Sequence, residues 1–269
     1  MNKIITILLT LSLITANAYA AVTLADANKA AESSNYKQAN KIYKTLALKG
    51  NAKAQTNLGF AYAKGEGVVQ DYSEAAKWWK LAAAQGNVDA QFNLGVMYDK
   101  GKGVVQDYSE AAKWYKLAAA QGDELAQFAL GFMYDNGQGV VQDYTEAVKW
   151  YKLAAAQGDV DTQSNLGLRY YIGTKGVSQD YTESAKWLTL AAAQGDVTAQ
   201  YYLGVMYYIG QSVAQDYVKA HMWYNLAAAR GDKDAVKNRD TMVSVMTQQQ
   251  IAEAQKLARE CLARKYKGC

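Results

Sequence analysis

The phrase DYSEAAKWWKLAAAQG, Asp71 to Gly86, returns as DYSEAAKWYKLAAAQG from Asp107 to Gly122. Its first residue recurs at Asp71, Asp107, Asp143, Asp180 and Asp216, at spacings of 36, 36, 37 and 36. A weaker copy, NYKQANKIYKTLALKG, begins at Asn35. A fixed period of this size argues against a single compact two-layer core. Each copy is one supersecondary unit, and apolar surface is buried by stacking a unit on its neighbours. The one long interval carries an extra residue in GTKGVSQDY, around Thr174 and Lys175.

Each unit divides into two helices, so the fold class is all-α, an array of antiparallel helix pairs. The quoted phrase is helix B. Asp71 is suited to cap its N-terminus, and Glu74 follows at the third helical position, a capping-box spacing repeated at Asp107/Glu110, Asp143/Glu146 and Asp180/Glu183. Gly86 and its equivalents end helix B, and Asn87, Asp123, Asp159, Asp196 and Asp232 are placed to cap the next helix. This second helix, A, carries Leu94, Gly95 and Tyr98, which recur as Leu130/Gly131/Tyr134, Leu166/Gly167/Tyr170 and Leu203/Gly204/Tyr207. A glycine inside a helix costs about 1 kcal/mol relative to alanine. Its recurrence therefore predicts a close crossing of helix B, with Ala75, Ala82 and Ala83 as small partners and Trp78 and Trp79 filling the remaining space. The connection GEGVVQDY turns on its glycines, with Val68 and Val69 expected to tuck under the stack. A chain of 269 residues with no proline fits this reading, because interior proline would break each helix.

The ends differ from the repeats. Residues 1–20, MNKIITILLTLSLITANAYA, combine Lys3, an apolar core from Ile4 to Ile14 and an Ala18-Tyr19-Ala20 cleavage signature, the pattern of a secretory signal peptide. Its removal predicts a periplasmic or secreted chain with no membrane span. Residues 21–50 are expected to form an N-terminal capping helix pair, and residues 232–269 the C-terminal capping helices, the last opening at Thr247 and Gln250. Both cysteines, Cys261 and Cys269, lie there. Eight residues of straight helix would hold them about 12 Å apart, too far to bond. A disulfide therefore requires the helix to end near Tyr266 and the chain to turn back at Lys267-Gly268.

Catalytic motifs are scarce. The net charge of +4 is spread along the chain and leaves no footprint for nucleic acid. The single histidine, His221, occupies the helix-B position of Ala76 and Ala112, has no metal-binding companions, and reads as a helix-surface residue. There is no G-x-S-x-G, P-loop or dinucleotide fingerprint. No enzyme activity, metal or cofactor is expected.

The combination A-x-x-L-G-x-x-Y, G-x-G-V-x-Q-D-Y and E-A-x-K-W-Y-x-x-A-A-x-x-G resembles the Sel-1-like repeat, a relative of the tetratricopeptide repeat. The resemblance covers Asn51–Gly86, Asn87–Gly122, Asp123–Gly158, Asp159–Gly195 and Asp196–Gly231, five repeats over residues 51–231. It implies a right-handed superhelical solenoid whose A helices line the inner wall, and a non-enzymatic scaffold of the bacterial envelope that binds a protein or peptide partner. Family members tied to host interaction leave open a secreted factor that binds a host protein. Disulfide-rich relatives linked to β-lactams leave open a periplasmic enzyme acting on cell-wall fragments or β-lactams. Those relatives carry cysteine pairs inside their repeats, which this chain lacks.

Residues that depart from the repeat are free to serve a partner. Three rows on helix A face away from the Leu94/Tyr98 seam. The first runs through Thr56, Phe92, Phe128, Ser164 and Tyr201, and the second through Phe60, Val96, Phe132, Leu168 and Val205. The third changes from Asp99-Lys100 and Asp135-Asn136 to Tyr171-Ile172 and Tyr208-Ile209, with Arg169 a further departure. Leu168, Tyr171, Ile172, Tyr201, Val205, Tyr208 and Ile209 are thus the expected partner-binding residues, tyrosine being favoured at interaction hot spots.

Overall fold

The computed structural model describes residues 22–174 and 176–269; the expected signal peptide and the insertion at Lys175 lie outside the described residues. Among the described residues there are fourteen helices and no strand. They fall into two compact units, one ending at Ala118 and one beginning at Ala119. The first holds α1 (Leu24–Glu32), α2 (Tyr36–Leu48), α3 (Ala52–Lys64), α4 (Tyr72–Ala84), α5 (Val88–Lys100) and most of α6 (Tyr108–Ala120). The second holds α7 (Glu124–Asn136), α8 (Tyr144–Gln157), α9 (Val160–Ile172), α10 (Tyr181–Ala192), α11 (Val197–Ile209), α12 (Tyr217–Ala229), α13 (Lys233–Met242) and α14 (Gln248–Ala263). Within each unit, helices pack chiefly on their neighbours in sequence; α14 instead lies against α12.

Both classes of helix start as the sequence predicts, with one difference. Asn51, Asn87, Asp123, Asp159, Asp196 and Asp232 each accept the backbone N–H three residues on. Asp71 accepts from Ser73 and Glu74 at 2.8 and 3.0 Å. The reciprocal half of the capping box is absent, because the Asp71 N–H already donates to the Tyr62 carbonyl at 2.9 Å. Asp107, Asp143, Asp180 and Asp216 repeat that bond to Tyr98, Tyr134, Tyr170 and Tyr207. The glutamates instead pair with lysines one turn on, as Glu146 does with Lys149 at 2.7 Å. The loop glutamine closes the connection: Gln70 Nε2 donates to the Ala63 carbonyl at 2.8 Å, and Gln106, Gln142 and Gln215 do the same in their copies.

The helix-A glycine does face a crossing helix, and its nearest neighbour there is a large side chain, a ring in four of the five copies; the alanine column is close as well, the Ala147 carbonyl oxygen standing 3.2 Å from where a Cβ on Gly131 would lie. A Cβ on Gly131 would stand 2.8 Å from the Tyr151 ring, and one on Gly204 would stand 2.6 Å from Tyr224. Trp79, Tyr115 and, in the fourth copy, Leu188 hold the same place. Ala75, Ala82 and Ala83 are buried with Trp79, Leu94 and Met97. Val69, Val105 and Val141 do not tuck in; each is 88% exposed, whereas the valine before each, Val68, Val104 and Val140, is half-buried. His221 is not on the surface either. It is 3% exposed, because its column, which includes Ala76, Ala112 and Val148, is buried in every one of those copies.

Successive pairs are also joined by a buried glutamine that the repeat signature does not mark. Gln55, Gln91, Gln127 and Gln163 donate Nε2 to the carbonyls of Ala47, Ala83, Ala119 and Ala155 at 2.8–3.1 Å. Gln200 reaches Ala192 at 3.4 Å. At the C-terminus α14 ends at Ala263, a turn earlier than expected. Lys265 and Tyr266 take the left-handed conformation, with φ of 51° and 67°. That reversal brings the Cα atoms of Cys261 and Cys269 to 5.5 Å, and the two are disulfide-bonded.

Candidate functional site

A recurring niche lies where helix A of one repeat, its own helix B and the next helix A meet. The second unit contains two such niches, each of about 300 Å³. One is lined by Phe128, Phe132, Asp135, Asn136, Tyr151, Thr162, Asn165 and Arg169. The other is lined by Tyr201, Val205, Tyr208, Ile209, Tyr224, Asn238, Thr241 and Met242. By repeat register Tyr201 replaces Phe128, Val205 replaces Phe132, Tyr208 replaces Asp135 and Ile209 replaces Asn136. Tyr224 matches Tyr151, Asn238 matches Asn165, and Met242 stands where the earlier niche has Arg169. In the first unit, Phe60, Trp79, Asn93, Val96 and Met97 help line the corresponding space of about 250 Å³.

The two niches of the second unit differ in chemistry. In the earlier one Arg169 bonds Asp135 through both guanidinium nitrogens, at 2.5 and 3.2 Å, and its Nε donates to Asn165 Oδ1 at 2.8 Å. The guanidinium carbon lies 5.3 Å from the Tyr151 ring centroid, an attractive cation–ring placement. Burial pushes the Tyr151 phenol up to about 12, with the Asp135 charge adding to the rise. In the later niche no charged side chain is among the lining residues. Its walls are rings: Tyr201 and Tyr224 stand 5.9 Å apart and Tyr208 stands 5.6 Å from Tyr217. Asn238 donates Nδ2 to the Tyr201 oxygen at 3.4 Å. Desolvation raises the Tyr201 phenol above its ordinary value, and the Asp234 and Asp232 charges add to the shift.

Of the seven residues read from sequence, Tyr201, Val205, Tyr208 and Ile209 line this later niche. Tyr208 is 39% and Ile209 52% exposed. Tyr171 lies beside it in an aromatic chain, its ring edge-on to Tyr202 at 5.0 Å and to Tyr181 at 5.5 Å, while Tyr202 meets Tyr201 at 5.2 Å. Ile172 is exposed and Leu168 half-buried, and neither lines the niche. The first row is not a uniform surface, because Thr56 and Ser164 are buried and bonded to Ala52 and Asp196. Sequence reasoning missed Tyr224, Asn238, Thr241 and Met242. The signal was present in Asp232, which keeps the repeat spacing, and in Asn238, which falls in the column of Asn57, Asn93 and Asn165. Helix α13 is thus a sixth helix A without the Leu-Gly-x-x-Tyr signature.

Among the described residues no cluster of three or more His, Cys, Asp or Glu is arranged to hold a metal ion. The niche offers apolar burial, phenol hydroxyls and an amide, which is the chemistry of recognition.

Five stretches of the chain, residues 52–87, 88–123, 125–159, 160–196 and 197–232, match the Sel1 repeat. Among solved structures the chain is similar to a Sel1 repeat protein from Oxalobacter formigenes, with 30% identity and a TM-score of 0.72 over 88% of this chain and 99% of that one. It is also similar to a protective antigen of uropathogenic Escherichia coli strains that displays an SLR fold. There the identity is 33% and the TM-score 0.71 over 91% of this chain, which spans 57% of the antigen's length. No curated protein matches the sequence.

Proposed function

Because the chain belongs to the Sel1 repeat family, we propose that it is a non-enzymatic scaffold of the bacterial envelope that holds a partner's peptide or helix against the tyrosine-lined niche of its second unit. Sel1 repeat proteins are generally protein-interaction scaffolds on a non-catalytic fold. The observation that carries the finer reading is the change between two niches of one design. The earlier niche carries an ion pair between Asp135 and Arg169, whereas the later one has no charged lining residue and presents the partly exposed Tyr208 and Ile209. Partly exposed tyrosine beside aliphatic surface is the usual composition of an interaction hot spot.

The disulfide supports an oxidising compartment, in keeping with the export pattern of residues 1–20. Among the described residues no helix is long and apolar enough to cross a membrane. A second reading, a released protein that meets a host factor, takes its support from the E. coli relative being a protective antigen. Fractionation of cultures separates the two: recovery in the periplasm favours the scaffold, recovery in the medium the released factor.

The test is affinity capture from the native periplasm with the wild-type chain and with Tyr208→Ala combined with Tyr171→Ala. A partner recovered by the wild type and lost by the double variant is the expected result. Equal recovery of every partner overturns the assignment of the niche.

A further inference from the structure

The earlier niche of the second unit includes in its wall a cation that the chain supplies itself. Arg169 lies over Tyr151, gives its Nε hydrogen to Asn165 and pairs with Asp135. The later niche keeps two of those three partners, since Tyr224 stands for Tyr151 and Asn238 for Asn165, and has Met242 where the earlier niche has the arginine, as other copies have Met97, Met133 and Met206. No lysine or arginine is among its lining residues. We propose that this later niche takes an arginine side chain of the partner peptide, seated among Tyr201, Tyr208 and Tyr224 and flanked by an apolar residue that covers Ile209. This rests on the partner-binding reading and deepens it by naming the chemistry of the guest.

Further features favour a guanidinium over a plain apolar side chain. Ring faces carry negative potential, and tyrosines around a partly desolvated cation attract it. Asn238 donates an Nδ2 hydrogen to Tyr201, and its Oδ1 is the acceptor that matches Asn165 Oδ1, which accepts from Arg169. The carboxylate that Asp135 supplies to the earlier niche has a counterpart here: Asp234 is exposed, has no ion-pair partner among the described residues and stands one turn before Asn238 on the same face of α13. A cavity of about 300 Å³ suits one long side chain, with the rest of the peptide outside. The planar fork of a guanidinium also suits stacking on rings, which a lysine ammonium does not.

The experiment uses fluorescence anisotropy at low ionic strength with the mature chain. The probe is a labelled nonapeptide with a central arginine flanked by leucine and alanine, compared with the same peptide carrying citrulline, the neutral isostere, in place of arginine. The citrulline peptide is expected to bind about tenfold more weakly. Asp234→Asn should weaken the arginine peptide and leave the citrulline peptide unchanged, while Tyr208→Ala should weaken both. Asp234 is exposed and Tyr208 partly so, and circular dichroism verifies that each variant is folded. Equal affinity for the two peptides, no binding of the arginine peptide, or indifference of both to Tyr208→Ala overturns the proposal. Equal affinities that both fall with Tyr208→Ala would remove the cation and leave the partner site standing, whereas unchanged periplasmic capture by the tyrosine double variant would remove the site itself.

Discussion

His221 lies in a column that other repeats fill with alanine or valine, and its Nδ1 is buried without a hydrogen-bond partner. Burial is the main cause of a pKa below the usual 6.5, and the neighbouring Arg239 charge acts in the same direction against a smaller opposing effect of Asp240. The folded protein therefore holds the imidazole neutral. Above the unfolded value both states are neutral and the group has no effect on stability. As pH falls below it the unfolded chain takes up the proton first, and stability is lost until the lower folded value is passed. Thermal melts between about pH 7 and pH 5 should show a decline that His221→Ala reduces. An equal decline in the variant would place the acid sensitivity on other groups. The burial of this residue was not legible in the sequence, because a column of alanines at Ala76 and Ala112 is compatible with either face of a helix. The glycine column was legible, since an interior glycine at Gly95 and Gly131 has a cost that only close packing offsets. What could not be read was that the close neighbour is a ring, because Ala75 and Tyr115 compete for the same crossing and volume alone does not decide between them.

At the scale of elements, caps and turns were almost fully readable. Asp71, Asp143 and Asn87 sit at helix starts and Gly86 beyond a helix end because each side chain, or its absence, satisfies backbone groups that the helix leaves open. The glutamine joints were not readable: a polar residue at Gln127 or Gln163 has no local mark of burial, and its carbonyl partner lies in another helix. The niche was half readable for a similar reason. Tyr201, Tyr208 and Ile209 stood out as departures from the repeat, with Val205 beside them, whereas Asn238 and Met242 come from α13, where the repeat signature has faded. The last element carries its own test. The disulfide closes the turn after α14 and holds the tail bearing Tyr266, whose ring lies 2.8 Å from the point where Gly195 would place a Cβ. Reduction should lower stability to urea by about 2–3 kcal/mol. Cys269→Ser should match the reduced wild type and be insensitive to dithiothreitol. A midpoint unmoved by reduction would mean that packing alone holds the tail.

At the scale of the whole molecule, stability is a sum of neighbour terms, because within each unit the helices pack chiefly on those adjacent in sequence. Gly131→Ala probes this. The added methyl would meet the Tyr151 ring at 2.8 Å and the Ala147 carbonyl oxygen at 3.2 Å. Overpacking of this kind costs about 1–3 kcal/mol, against a gain of about 1 kcal/mol in helix propensity. Hydrogen exchange should show protection falling in α7, α8 and α9 while α1 to α3 keep theirs. A uniform fall across all helices would mean one cooperative block.

The glutamine joints have a consequence for how such a gene can change length. Gln127 reaches back to Ala119 and Gln163 to Ala155, so each copy carries the plug at its front and the matching socket at its rear. An in-frame tandem duplication of a single copy therefore creates a new junction chemically identical to the old ones. Unequal crossing-over can add or remove copies without any compensating substitution at the seam.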